Sequence, residues 1–323
     1  MIILTHSDVC SLIDRSQVLR AVERAHRDHG LGLAQVPGPP AMTIGGTSLV
    51  PMVAAGTELA AVKMLADIPG NAARGLPVQR SSIMVTDVRT GECRALIDGR
   101  RVTAVRTAAT SAVATKYLAR PGSSVLGLVG AGTLAVEHTR AIAAVLGIDT
   151  VVVWSRSAAT VERYRAAVED LRLTVKPAES VEEVVRASDV LCTLTPSREP
   201  IVQGAWFAPG QHVNAVGAPP RPDHREVDGE GLARARVVVD SVPTALAKSG
   251  EVVLALAEGV VDAAGVSTEL GQVIAGLAPG RSSDDEITLF DSVGLGLQDL
   301  ATAELLLEAA RAQGVGTEID LSR

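Results

Sequence analysis

The chain has 323 residues, with 30 Lys and Arg against 37 Asp and Glu for a formal charge of −7, and it is 47% hydrophobic yet holds only two Trp, two Tyr and two Phe. At roughly 150 residues per domain the length predicts about two domains, with a core of Ala, Val, Leu, Ile and Gly that suits helices on a buried parallel sheet. The acidic balance and the lack of stacking rings exclude a nucleic-acid partner, and the apolar content excludes disorder.

From the N-terminus, Met1-Ile-Ile-Leu-Thr-His6 holds no basic n-region and only a three-residue apolar run, so no signal peptide is expected. Ser7 and Asp14 are placed to cap helices over 8–12 and 15–29, and Gly30 is a stop signal. His26 and His29 share a helix face without further ligands nearby, so they read as a solvated pair rather than a metal site. Pro37-Gly-Pro-Pro40 forces an extended connection, followed by strand-like runs at 41–44, 48–54 and 59–65. Ser81 to Asp98 reads as a hairpin turned at Thr90-Gly91. An Ala-rich helix over 102–118 ends at Pro121-Gly122.

From Ser123 strands and helices alternate. Strands are expected at 125–129, 150–154, 189–194, 212–216 and 237–240. Helices are expected over 133–146 and 157–171, with a third opened by the capping box Ser180-x-x-Glu183. That alternation implies an α/β fold with a parallel sheet. A single helix over 297–312 closes the chain. The longest apolar stretch, Val125–Val136, falls short of the roughly 20 residues of a membrane span. Cys10, Cys93 and Cys192 are odd in number and widely spaced, as expected of reduced, mostly buried thiols in a cytoplasmic protein.

The chemistry concentrates in a few places. Val125-Leu-Gly-Leu-Val-Gly130-Ala131-Gly132-Thr133-Leu134-Ala135 is a strand running through Gly-x-Gly-x-x-Ala into a helix, the signature of dinucleotide binding. Its glycines permit the tight turn and a close approach of backbone to pyrophosphate at the helix N-terminus. The next strand ends in Ser155-Arg156-Ser157, without the Asp or Glu that would accept from an NAD ribose, so NADP(H) is favoured and NAD(H) is the alternative. Lys63 at the end of an apolar strand suits carboxylate binding or proton donation, unless it is simply solvated. Arg106, early in the Ala-rich helix, implies an anionic partner. His212 reads as structural, and His224 as a candidate proton donor in the loop after its strand. Ser282-Ser-Asp-Asp-Glu286 reads as a capped helix start or solvated loop. Hydrolase signatures such as Gly-x-Ser-x-Gly are missing.

Together these motifs resemble the ornithine cyclodeaminase/mu-crystallin family. The matching segments are Lys63 with Pro69-x-Asn71 and Gly75-Leu-Pro77, Arg106-Thr-Ala-Ala, Gly130-Ala-Gly132 and Thr195-Pro-Ser-Arg-Glu-Pro. They continue with Asn214-Ala-Val-Gly217, Arg225-Glu-Val-Asp228, Val239-Asp-Ser241, Glu269-Leu-Gly, Asp291-Ser-Val-Gly294 and Asp299-Leu-Ala. The resemblance implies a homodimer with a Rossmann-type NAD(P) domain over 121–294 and an α+β substrate and dimerisation domain formed by 1–120 with 295–323. It implies that Lys63 and Arg106 hold the substrate carboxylate near the nicotinamide. Arg106, Thr107, Thr193, Asn214, Ala215, Val216 and Ser292 would join the glycine turn in lining the cofactor.

Three departures bear on the substrate. Pro219 stands where cyclodeaminases carry a catalytic aspartate, which leaves Asp223 or His224 as the nearest substitutes. The segment 35–42 lacks the arginine many members carry, and Leu134 replaces a frequent Gln. The pattern sits nearer the ketimine-reductase branch. The expected activity is NAD(P)H-dependent reduction of a small ketimine or imino acid, or the reverse amino-acid dehydrogenation. An ornithine- or lysine-type cyclodeaminase and a non-catalytic, cofactor-holding binder are the alternatives.

Overall fold

A computed structural model describes residues 1–38, 40 and 42–321. The chain opens with β1 (Ile2–Leu4), α1 (His6–Leu12), α2 (Arg15–Gly30), β2 (Met42–Ile44), β3 (Thr47–Ala55), β4 (Leu59–Asp67), β5 (Gln79–Asp87), β6 (Cys93–Asp98) and α3 (Gly99–Leu118). It continues with β7 (Val125–Val129), α4 (Thr133–Ala143), β8 (Thr150–Trp154), α5 (Ala158–Val168), β9 (Thr174–Pro177), α6 (Val181–Ala187), β10 (Val190–Thr193) and β11 (His212–Ala215). Then come α7 (Gly229–Arg234), β12 (Arg236–Val239), α8 (Val242–Lys248), α9 (Gly250–Ala257), β13 (Thr268–Glu269), α10 (Leu270–Ile274), β14 (Thr288–Asp291), α11 (Gly296–Gln313) and β15 (Thr317–Glu318).

Two compact units form, Met1–Thr107 with Leu295–Arg323, and Ala108–Gly294. The division falls inside α3 rather than after it. The later turns of α3 are bonded into the second unit: Asn214 Nδ2 donates to Thr115 Oγ1, and Thr288 Oγ1 and Arg281 Nε donate to the Leu118 carbonyl.

The first unit is a seven-stranded sheet in the order β15-β1-β6-β5-β4-β3-β2. Strands β2 to β6 form an antiparallel meander, and β1 joins β6 in parallel. Alternation gives the sheet two characters. On one face Ala54, Ala61, Ile83, Val85, Ala95 and Ile97 pack with Leu297, Leu300, Ala303 and Leu307 of α11. Each fully buried Leu, Ile or Val side chain there contributes about 1.5–3 kcal/mol, so α11 is held by burial more than by propensity. On the other face Val53, Val62, Met84 and Leu96 are successive cross-strand neighbours, with Met84 43% and Leu96 39% exposed. Gly296 lets α11 start directly on β3: a Cβ there would lie 2.7 Å from the Val53 carbonyl carbon.

Local expectations meet some corrections here. Asp14 caps α2, but α1 is capped by Thr5, not Ser7. The Thr5 hydroxyl accepts from Asp8 N at 3.3 Å and the Asp8 carboxylate accepts from Thr5 N at 2.9 Å, a reciprocal box two residues earlier. The thiols are not mostly buried: Cys10 is exposed, Cys93 intermediate and Cys192 buried. Of the strand expected at 41–44, residues 42–44 form it and Ala41 lies outside the described residues.

The second unit is an eight-stranded, all-parallel sheet in the order β13-β12-β14-β11-β10-β7-β8-β9, a Rossmann-type α/β architecture. All five strands expected after Ser123 are present. Three more, β9, β13 and β14, were not foreseen, and β14 lies between β11 and β12 in the middle of one wing. The run before it, Ser282 to Glu286, is a loop in which Glu286 accepts from Ser282 N and Arg236 Nε. Ser180 caps α6 by accepting from Glu183 N, while the Glu183 carboxylate takes Glu179 N instead of closing the box. Among the described residues no helix is long and apolar enough to cross a membrane.

Candidate functional site

In the first unit Lys63 points from β4 into the face covered by α11 and is fully buried. Its Nζ lies 2.7 Å from Asp299 Oδ2, and Arg106 Nε lies 3.2 Å from Asp299 Oδ1. Two cations therefore converge on one buried carboxylate. Burial, helped by the Arg106 charge and opposed by Asp299, brings the Lys63 ammonium down to about 8. Arg106 Nη1 also donates to Gln298 Oε1 at 2.6 Å, and Gln298 Nε2 lies 3.1 Å from His26 Nε2. His26 is completely buried, so the solvated pair expected with His29 does not form. The helix face that carries Val18 and Val22 also carries His26 inward, in steps of four. Burial brings its imidazole down to about 3. Among the described residues no group of His, Cys, Asp and Glu could hold a metal ion.

In the second unit the glycine turn follows β7, and Gly130 N donates to the Trp154 carbonyl at 2.9 Å, tying it to the end of β8. Gly130 takes φ +111°, and a Cβ there would crowd the Leu194 carbonyl at 3.0 Å. Ala131 is buried, Gly132 and Thr133 are exposed, and Leu134 is half-buried. No side chain caps α4, and a Cβ on Gly132 would meet nothing within 4 Å. That leaves the open cradle of backbone N–H groups a pyrophosphate requires. Ser155 is half-buried, while Arg156 and Ser157 are exposed at the mouth of β8.

Thr193 and Ala215 are register partners at the ends of β10 and β11, Val216 N donates to Thr193 O, and Ser292 N donates to Ala215 O at 3.0 Å. These candidates thus share one edge of the sheet. The Asn214 amide is turned to Thr115, and the Ser292 hydroxyl donates to Asp240 at 3.1 Å. Thr107 is buried on α3. His212 is a buried structural group bonded to Thr288 Oγ1. His224 is buried with Nδ1 2.9 Å from Asp223 Oδ1, and Asp223 is largely exposed, held below the usual carboxylate range by that bond.

Sequence reasoning missed Asp299, Gln298 and His26 as a cluster, and it missed Glu226. Glu226 is fully buried and fastens the β10 and β11 ends together. Its Oε1 accepts from Thr195 N and Oγ1, and its Oε2 accepts from Thr193 Oγ1 and Gly217 N, at 2.6–2.8 Å. Glu251 in turn accepts from Glu226 N at 2.9 Å. Burial raises Glu226 to about 8 and Glu251 to about 7, and raises Asp291 well above the ordinary range with the Glu251 and Asp240 charges nearby. A sequence signal existed for Glu251, Asp291 and Asp299, acids set in largely apolar segments that need buried partners, whereas Glu226, in the polar run Asp223-His-Arg-Glu-Val-Asp228, carried none.

A family model, ornithine cyclodeaminase/mu-crystallin, matches residues 1–314. The ketimine reductase mu-crystallin of Rattus norvegicus is 35% identical over 271 residues, 84% of this chain and 82% of that one. The structure of Thermococcus litoralis Delta(1)-pyrroline-2-carboxylate reductase in complex with NADH and L-proline is 36% identical, with a TM-score of 0.94 over 99% of this chain and all of that one. An archaeal alanine dehydrogenase dimer with bound NAD is 37% identical, with a TM-score of 0.95 over 99% of each chain. The chain belongs to the ornithine cyclodeaminase/mu-crystallin family.

Proposed function

We propose that the protein is a nicotinamide-dependent oxidoreductase that reduces the C=N bond of a small imino acid, cyclic ketimines included, or runs the reverse amino-acid dehydrogenation. The observation that carries this reading is the buried convergence of Lys63 and Arg106 on Asp299. The depressed Lys63 ammonium marks a spot where one further carboxylate is welcome, and a substrate carboxylate meets that need. Arg106 orients that carboxylate and Lys63 delivers the proton the imine nitrogen takes up. The dinucleotide, when bound, supplies the hydride. The glycine turn, Ser155 to Ser157, Thr193, Asn214 to Val216 and Ser292 are the residues we assign to it.

NADP(H) is the cofactor we favour. Arg156 stands exposed at the end of β8 with no carboxylate at the adjoining Ser155 and Ser157, which suits a 2′-phosphate. The test is turnover of pyrroline- and piperideine-2-carboxylate with NADPH and with NADH. Steady NADPH oxidation is expected, and Arg156→Ala should raise KM for NADPH about tenfold, the worth of one charge-assisted hydrogen bond, while sparing NADH. Ammonia and proline formed from ornithine without net cofactor turnover overturn the reading in favour of a cyclodeaminase. No turnover with any imino or amino acid overturns it in favour of a binding protein.

A homodimer fits the same reading. The row Val53, Val62, Met84 and Leu96 is an apolar sheet face with Met84 and Leu96 exposed, and a second copy would cover it. Met84→Asp should then yield a folded monomer by light scattering. An unchanged dimer would place the interface elsewhere.

A further inference from the structure

We propose that His26 is a positioning residue for the substrate carboxylate, acting through the Gln298 amide on Arg106. The proposal rests on the reading that Arg106 grips that carboxylate.

The protons follow from what each group is able to do. A guanidinium only donates, so the end of Gln298 that faces Arg106 Nη1 at 2.6 Å must be its oxygen. The other end is then the NH2, which donates to His26 Nε2 at 3.1 Å. His26 must accept there with a lone pair and carry its proton on Nδ1. A protonated ring would set N–H against N–H, and burial keeps the ring neutral, with His29 and Arg106 adding to the effect.

This arrangement has a cost that a core-filling role does not explain. Nδ1 is buried with no hydrogen-bond partner among the described residues, which costs about 1–3 kcal/mol. A leucine would fill the space without that loss. What the histidine adds is an acceptor for the Gln298 NH2, which a leucine would leave buried and unpaired while the amide oxygen faces Arg106. With the amide locked, Arg106 is held from two sides, by Gln298 at Nη1 and by Asp299 at Nε. His26, Gln298 and Arg106 come from α2, α11 and α3, so the lock draws three separate segments into one orientation.

The experiment compares His26→Leu with His26→Gln, whose side-chain oxygen is able to accept near the place of Nε2. His26→Leu should raise KM for the imino acid about tenfold, the worth of a hydrogen bond that orients a charged group, with kcat and NADPH affinity nearly unchanged. His26→Gln should restore most of the loss. Equal KM in His26→Leu and wild type, or a parallel fall of kcat, NADPH affinity and Tm in both variants, overturns the proposal. Independently of turnover, 15N NMR of the histidine rings should show His26 with its proton on Nδ1, and Gln298→Met should release that preference. A wild-type His26 protonated on Nε2 overturns the proposal even if the enzyme is active. If no imino acid turns over while the tautomer is as stated, the carboxylate reading has failed and the lock itself stands.

Discussion

Lys63→Met should lower kcat for imino-acid reduction by about 10³-fold, within the range general-acid groups supply. Dinucleotide affinity, assigned to the other unit, should stay within about twofold. The loss should sit mainly in kcat, because Arg106 remains to bind the carboxylate. A variant with wild-type kcat would remove Lys63 from the chemistry. Stability should fall as well: Asp299 loses one of two cations in a fully buried site, and breaking such a pair costs about 3–5 kcal/mol, less here because Arg106 stays.

The pH dependence has a definite sign. Lys63 titrates near 8 rather than 10.5, so the proton donor is lost as pH rises through about 8. Reduction should fall through that pH and the reverse oxidation should rise. For stability, both folded and unfolded chains hold this proton below about 8, and the penalty of burying the ammonium is fully present there. Between about 8 and 10.5 only the unfolded chain holds it, so this group makes the folded state relatively more stable as pH rises. Lys63→Met should erase both trends.

The second large effect is expected at Glu226. In Glu226→Gln the amide nitrogen must replace one carboxylate oxygen, and each oxygen now takes a backbone N–H, from Thr195 or Gly217. Either choice sets donor against donor in a buried site, so stability should fall by about 1–3 kcal/mol. The freed strand ends should also weaken dinucleotide binding, read from the fluorescence of Trp154, whose carbonyl anchors the glycine turn. Glu226 titrates near 8 against an ordinary 4.5. Its contribution to stability is fully present below about 4.5 and is lost as pH rises through about 8. The variant should lack that decline. A Glu226→Gln protein with wild-type Tm and NADPH affinity would show that the clasp does no mechanical work.

What the sequence disclosed and what it withheld follow from chain distance. The glycine turn is legible because strand, turn and helix are consecutive, and Lys63 and Arg106 because each interrupts a regular local pattern. Asp299 and Gln298 were not, since they meet Arg106 only after the last helix folds back onto the first sheet. Position 298 stands 192 residues from Arg106 and 272 from His26. His26 misled because its i, i+3 neighbour His29 drew the eye to one spacing, while the i, i+4 series through Val18 and Val22 marked the buried face. Strand β14 hid for another reason: four residues directly after an acidic run carry too short a pattern to separate from a loop.

The contact of Gly296 with β3 sets a rule for where this chain tolerates a change of length. One residue inserted between Gly296 and Asp299 would turn the carboxylate about 100° around the axis of α11, away from Lys63. The helix could not slide to compensate, because its first turn is seated against the Val53 backbone. Past Gln313, by contrast, the helix ends at Gly314 in the left-handed conformation and the chain is largely exposed. Extra residues there would leave the phase of the helix intact. The C-terminal helix is therefore an indexed part, adjustable at its far end and fixed to the residue at its start.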